Sequence, residues 1–453
     1  MKDLLKEINI KHIIIPAIFA AIFLLLPIEL SFTQKVIIAI MMTTIYWWAT
    51  GGVNMTFAAI FMIVGFLAFS GVHPLAVLNF PTSLTFVLIL SAFLLAIGIT
   101  NTKAAEQLAE IILQKFGTSA VKLIILAFVL GIILIFLIPH PFPRLIILGS
   151  IYNVFLSQYN IEDSTKSVIM MSVFVAGTVV PTLFINGDFI LNYSALEFAG
   201  VNLSFSQWAI NMTLPGLFAS GIICLSLIMV FRKNLDNANW KFNSESKKIT
   251  LNHDRKKAFF IMGIVVILWA FESVHKIPSA YIGLAGVIAM FLMRILKVSD
   301  FKKVNYNLLI YLTAIFSIGR VLNASGISKY LQNTLTGFVP NTQGVGIYLF
   351  IIVAVMAVHM ILGSCLTTMS ITIPLLTTML TGVVSPLIIA YIAYITVSFH
   401  YILPYHHLSV VIGIGEGYYS EAQLRKFGLV MTPLTFIIIL LLYLPWWNLL
   451  GLL

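Results

Sequence analysis

Long apolar runs fill almost the whole chain, and only short polar stretches separate them. Ile13 to Pro27, Leu123 to Ile138, Pro215 to Phe231, Ala258 to Phe271 and Val430 to Trp447 are long, or nearly long, enough to cross a bilayer. A crossing helix needs about 20 such residues, each adding about 1.5 Å. Some runs are broken from within by Pro, Ser, Thr, His or Gly, and the breaks recur. Trp48-Ala49 is followed 92 positions later by a break at His140, and 42 after that by one at Thr182. Trp269-Ala270 is followed 96 positions later by a break at Cys365, and 42 after that by one at His407.

This pattern predicts an all-α, polytopic membrane protein with about eleven transmembrane helices and two re-entrant helical hairpins. An N-terminal helix is expected within 1–34, followed by a first repeat over 35–233. That repeat holds a hairpin at 122–158 and a broken helix at 166–193. A basic cytoplasmic linker at 234–257 leads to a second repeat over 258–453, with a hairpin at 344–382 and a broken helix at 385–415. With an odd number of crossings within the first repeat, the second repeat is inverted relative to the first. Paired interruptions at matching places in inverted halves are how alternating-access carriers place a binding site near the bilayer midplane.

Composition supports the membrane reading. The chain is 60% hydrophobic and 9% charged, more apolar than a solvated globular exterior allows. The formal charge of +10 does not indicate a nucleic-acid partner, because the cations are confined to a few connections. Lys2, Lys6 and Lys11 precede the first run. Arg232, Lys233, Lys241, Lys247, Lys248, Arg255, Lys256 and Lys257 fall in the linker, and Arg294, Lys297, Lys302 and Lys303 lie between two later runs. That is the positive-inside distribution of a protein in a cell (inner) membrane with a cytoplasmic N-terminus. The two cysteines, Cys224 and Cys365, lie inside apolar segments and imply no disulfide framework. No phosphate loop, zinc-protease helix, Cys-x-x-Cys or dinucleotide fingerprint stands in a fitting context, so no cofactor and no enzyme class is expected.

The breaks carry the candidate chemistry. An unwound transmembrane segment frees N–H and C=O groups that lipid cannot satisfy, so it must be covered by protein or face a water-filled cavity. Half-helix N-termini then favour anions, and freed carbonyls can hold a cation. Arg144 follows the first hairpin break and has two readings. It is a fixed charge for an anion, gripped in two-pronged fashion, or it snorkels to lipid phosphates. His140 either faces a cavity or bonds the freed hairpin carbonyls. Of the adjacent His406 and His407 only one can point at a given site, and position favours His407. His359 and His275 read as structural, Arg320 as an interfacial snorkeller, and Asn186 and Asp188 as lining the break of the 166–193 helix or turning near its end.

The second hairpin tip reads Gly363-Ser364-Cys365-Leu366-Thr367-Thr368-Met369-Ser370-Ile371-Thr372-Ile373-Pro374. It resembles the tips of the divalent anion:sodium symporter family, Ser-Asn-Thr-Ala-Thr with a Pro ten places after the Ser. Ser364, Thr368 and Pro374 keep that spacing, while Cys365 and Leu366 replace the Asn and first Thr. Leu403-Pro404-Tyr405-His406-His407 followed by Gly415-Glu416-Gly417-Tyr418 is similar to the family's second break, as is Leu424 to Val430 to the lead into its last helix. Gly177-Thr178-Val179-Val180-Pro181-Thr182 resembles its first. The first hairpin tip, Pro139-His140-Pro141-Phe142-Pro143-Arg144, departs most.

The resemblance implies a scaffold domain, a mobile domain carrying both hairpins and both broken helices, an elevator-type cycle and a homodimer. The substrate-binding set it implies is His140, Arg144, Thr182, Ser364, Cys365, Thr367, Thr368 and His407. Ser364, Thr367 and Thr182 are the candidates for a Na⁺ site, which the loss of both Asn positions weakens; the histidines offer H⁺ instead. The expected function is secondary transport of small anions, di- or tricarboxylates before oxyanions, driven by H⁺, Na⁺ or exchange. Alternatives are a cation/proton antiporter or an arsenite or sulfate permease of the same superfamily. A protein handling lipid phosphates through His140 and Arg144 is a third, and it lacks a nearby carboxylate.

Overall fold

The computed structural model describes residues 11–159, 161–235, 253–335, 337 and 344–453. Lys2, Lys6 and most of the expected basic linker, including Lys241, Lys247 and Lys248, lie outside the described residues. Among the described residues every regular element is a helix. In chain order these are α1 (Lys11–Leu25), α2 (Phe32–Thr50), α3 (Met55–Phe69), α4 (Pro74–Leu78), α5 (Leu84–Thr102) and α6 (Ala104–Phe116). A hairpin of α7 (Ala120–Ile135) and α8 (Pro141–Leu156) follows. Next come α9 (Asp163–Val179), α10 (Phe189–Ala199) and α11 (Phe205–Val230). The later part holds α12 (His253–Ala270), α13 (Glu272–His275), α14 (Ser279–Leu292), α15 (Tyr306–Ala324) and α16 (Ile327–Leu335). A second hairpin pairs α17 (Val345–Leu362) with α18 (Cys365–Met379), and α19 (Pro386–Phe399), α20 (Leu408–Gly415), α21 (Glu421–Ile438) and α22 (Leu444–Leu449) complete the chain.

Helix starts follow local chemistry. The sequence Ser-x-x-Gln opens α2, α11 and α21 as a reciprocal capping box, from Ser31 with Gln34, Ser204 with Gln207 and Ser420 with Gln423. Asn54 and Asn305 cap α3 and α15. Among the described residues, six stretches are long and apolar enough to cross a membrane: Leu84–Thr102, Asp163–Thr182, Phe205–Val230, Tyr306–Ala324, Val345–Leu362 and Glu421–Leu449. Seven further apolar helices are 10–17 residues long, among them both arms of the first hairpin. At 16 residues each, α7 and α8 extend about 24 Å, short of the roughly 30 Å hydrocarbon core. Large apolar side chains also face outward, such as Phe218 at 60% and Met229 at 69% exposure on α11, as lipid contact demands. The protein is multi-pass and helical.

The chain forms two compact units, each drawn from both halves of the sequence. One comprises Met1–Phe86, Ser194–Val201 and Asn305–Tyr394. In it α3 and α4 pack on α15, and the α17–α18 hairpin packs through α18 on α15 and α16. Phe316 of α15 meets Phe80 and Phe198 edge-on, at ring-centroid distances of 4.9 and 5.6 Å. Arg320, expected to snorkel, instead forms an ion pair with Glu197, an acid partner far away in sequence.

The other unit comprises Val87–Tyr193, Asn202–Val304 and Ile395–Leu453. Its centre is α9, which α7, α8, α11 and α20 all contact. The Asp163–Thr182 stretch is 89% buried, against 39% for Phe205–Val230, so this helix is core rather than lipid face. Glu272 has a structural task here. Its carboxylate accepts the Ser279 N–H (3.1 Å), the Ser279 hydroxyl (2.6 Å) and the Phe205 N–H (3.2 Å), holding the starts of α14 and α11.

Asp300, in the polar turn between α14 and α15, accepts the Lys297 N–H (2.8 Å), the Asn101 amide (3.1 Å) and an ion pair from Lys303 (2.8 Å). Burial raises its carboxyl, but the Lys303, Lys297 and Asn101 contacts outweigh that and hold it below its ordinary value. A depressed acid contributes stability above its unfolded pKa and loses it as pH falls through the folded one. Asp300→Asn is therefore expected to lower the unfolding midpoint by about 2 °C at pH 7. The deficit should shrink as the pH is lowered past the carboxylate range, read by scanning fluorimetry of both proteins across pH.

Candidate functional site

Between α9 and α10 the helix opens over residues 180–188 and then restarts. The route is tight: a Cβ on Gly187 would stand 2.3 Å from the Pro181 carbonyl oxygen, so only glycine fits. The freed carbonyls are almost all claimed. The Asn192 amide nitrogen donates to the carbonyls of Pro181 (3.1 Å), Phe184 (2.9 Å) and Ile185 (3.1 Å). Trp208 Nε1 donates to the Thr182 carbonyl (3.1 Å) and the Thr213 hydroxyl to that of Leu183 (2.9 Å). Arg144 Nη2 donates to the Gly187 carbonyl (2.9 Å). Asp188 accepts the N–H groups of Ile190 (3.0 Å) and Leu191 (3.1 Å) and so caps α10.

Arg144 also donates through Nη1 to the Ile138 carbonyl at the hairpin tip (3.0 Å). The side chain is 1% exposed, so the guanidinium is enclosed by protein and does not reach for lipid phosphates. It ties the first hairpin tip to the break between α9 and α10. Thr182, expected to offer a hydroxyl, is fully buried and gives its proton to the Val179 carbonyl (2.7 Å). Asn186 is also fully buried, and its amide N and O pair with no group among the described residues.

Two of the predicted histidines start helices. His140 precedes Pro141, the first residue of α8, and its Nδ1 accepts the Phe142 N–H (3.3 Å). Its ring lies between Phe93 and Phe142, at centroid distances of 5.1 and 5.2 Å. His140 Nε2 is buried and pairs with no group among the described residues. His407 caps α20 in the same way, with Nδ1 accepting the Ser409 N–H (3.3 Å). His406 instead binds the loop, accepting from Ile402 N–H (3.2 Å), and stacks on His400 at 5.4 Å. The adjacent histidines thus point to different tasks, as their adjacency required.

In the other unit, the second hairpin turns in two residues. Gly363 ends α17 in the left-handed conformation (φ 64°), donating to the His359 carbonyl, and Ser364 caps α18 by accepting the Thr367 N–H (3.3 Å). The Thr367 hydroxyl donates to Ser364 Oγ (3.0 Å) and meets the Tyr311 hydroxyl (3.1 Å). Thr368 Oγ1 meets His359 Nδ1 (3.1 Å). Ser364, Thr367 and Thr368 are therefore brought together at one tip. Cys365, where the resemblance has Asn, is the buried first residue of α18 rather than its cap. Tyr311, Asn192, Trp208 and Thr213 were missed from sequence, although each is a polar group inside an apolar run.

A multi-pass helical protein whose helices break and restart under buried polar caps has the construction of a secondary carrier. The chain belongs to the family described as the sodium:sulfate symporter transmembrane region, whose model matches residues 6–453. This is a transporter family, not a class of enzymes. It is also similar to a Bacillus subtilis (strain 168) protein named "Putative malate transporter YflS", 22% identical over 264 residues. That match covers 55% of this chain, and the chain spans about half (55%) of the length of that relative.

At the break between α9 and α10, one amide serves three of the freed carbonyls. Asn192→Leu leaves three carbonyls short of a donor in a buried setting. It is expected to cost at least about 2 kcal/mol, since an unmet buried polar group costs about 1–3 kcal/mol. The unfolding midpoint of detergent-purified protein should drop by several degrees, and a midpoint equal to the wild type would show that the break does not depend on Asn192.

Proposed function

We propose that this protein is a secondary carrier of small anions, with di- or tricarboxylates as its substrates. It works in the cell membrane by alternating access, with its N-terminus cytoplasmic. An elevator-type movement of the hairpin-bearing segments and a homodimeric assembly are part of the same reading. Support comes from the family, from the malate named for the relative, and from the chemistry of the breaks.

The observation that carries the reading is the state of His140. Because Nδ1 accepts a backbone N–H, the neutral ring carries its proton on Nε2. That Nε2–H is buried beside the N-terminus of α8 and pairs with no group among the described residues. A buried donor at the positive end of a helix is suited to an anionic oxygen. His407 repeats the cap on α20, and the hydroxyls of Ser364, Thr367 and Thr368 supply further donors or acceptors at the second tip. Coupling is to H⁺, Na⁺ or counter-anion. A protonated His140 would lose its cap, since the imidazolium has no acceptor nitrogen. That favours Na⁺ or exchange over protonation at this position.

Proteoliposomes should take up labelled malate, succinate or citrate, with sulfate and phosphate as comparison anions. Uptake is tested under a Na⁺ gradient, under an H⁺ gradient and against internal dicarboxylate. No uptake of any of these anions under any of the three conditions would defeat the proposal, and sulfate uptake alone would move the substrate class to oxyanions. His140→Asn preserves an oxygen cap but removes the Nε2–H. Loss of one hydrogen bond to a charged group, about 1.5–3 kcal/mol, predicts an apparent KM about 10- to 100-fold higher in a protein that still purifies as a single species.

A further inference from the structure

We propose that Arg144 is a resident cation at the first-half break, standing where a carrier of this kind would hold an exchangeable one. Unwound carbonyls are the ligands with which broken transporter helices bind Na⁺, a hard ion that needs several oxygens close together. The sodium in the family's description therefore has a test at this break, and the residues do not fit it. The carbonyls of residues 181, 182, 183, 184, 185 and 187 all lie within hydrogen-bond distance of a side-chain donor on Asn192, Trp208, Thr213 or Arg144, the two Asn192 N–H groups being shared among three of them. The Thr182 hydroxyl spends its proton on Val179.

The guanidinium does what a bridging ion would do. It joins a carbonyl of the hairpin tip, Ile138 at 3.0 Å, to a carbonyl of the break, Gly187 at 2.9 Å, at 1% exposure. Arginine keeps its charge in any protein setting, and its planar fork fits two carbonyls at once. Such a charge cannot leave with the cargo. The guanidinium occupies the break permanently, and the break contributes no ion to coupling. This geometry stands on the hydrogen bonds alone; only the statement about coupling rests on the carrier reading.

The test measures cation binding rather than uptake, so a failed anion assay would leave it intact. Unfolding midpoints of the purified full-length wild type, Arg144→Lys and Arg144→Ala are compared in sodium and in choline at equal ionic strength. Wild type and Arg144→Lys should share one sodium response. Arg144→Ala, with two carbonyls left open, should be less stable in choline and gain an extra rise of about 2 °C or more in sodium. Equal sodium responses in Arg144→Ala and the wild type overturn the proposal. Should the Ala variant not fold, an experimental structure of the wild type in high sodium decides. The guanidinium against Ile138 and Gly187 supports it, and a sodium ion among the carbonyls of residues 181–187 refutes it.

Discussion

A backbone opened inside an apolar environment must find partners for its N–H and C=O groups, and the rest of this structure is arranged around that requirement. The break between α9 and α10 exposes a run of carbonyls, and four side chains from three separate stretches of sequence converge on them. The helices that restart after the interruptions each have an acceptor side chain at their first free N–H groups: His140, Asp188, Ser364 and His407. A polar residue at such a break therefore has a structural duty before it has any other. Much of the polarity that draws attention in the sequence is consumed by the backbone. What remains for a ligand is the second atom of a residue whose first atom is already committed, as with Nε2 of His140.

This explains how much could be read in advance. Helix ends have local signals: Ser-x-x-Gln boxes, Gly363 in its left-handed turn and Pro141 at a first helical position. Hairpins and broken helices are signalled where Pro, Ser, His and Gly interrupt runs that would otherwise continue. The roles of individual side chains are much less so. Arg144 had two equally open readings, since whether a guanidinium near a break reaches lipid or protein depends on what packs over it. Its partner Gly187 lies 43 residues away. Arg320 reads from sequence as an interfacial snorkeller and is tied to Glu197, and the task of Glu272 depends on the starts of α11 and α14, which converge on it. Asn192 and Trp208 gave no signal at all, because a lone amide or indole in an apolar run is equally consistent with many neighbours.

The resemblance to divalent anion:sodium symporters was borne out at the level of family, while the departures it showed at the motif cores acquire a physical meaning. At the first hairpin the usual small polar tip is replaced by His140 and Arg144, and the structure uses one as a helix cap and the other as a clamp. At the second tip Ser364 keeps the capping role, so Cys365 can be a buried apolar residue without loss of the turn. The substitution pattern is therefore compatible with an intact fold even where it removes oxygen ligands. Architecture and ion chemistry are separable here because different atoms carry them.

The two tips consequently present different chemistry within the same helical construction. The first is rich in nitrogen donors, from Arg144, Asn192, Trp208 and His140, and these suit oxygen acceptors, whether carbonyl or anionic. The second is rich in hydroxyls, from Ser364, Thr367, Thr368 and Tyr311, which can donate to an anion or turn their oxygens toward a hard cation. Only the second set can change its electrostatic sense by rotating a proton. A hydroxyl cluster can follow the arrival or departure of an ion, whereas a guanidinium locked on two carbonyls cannot.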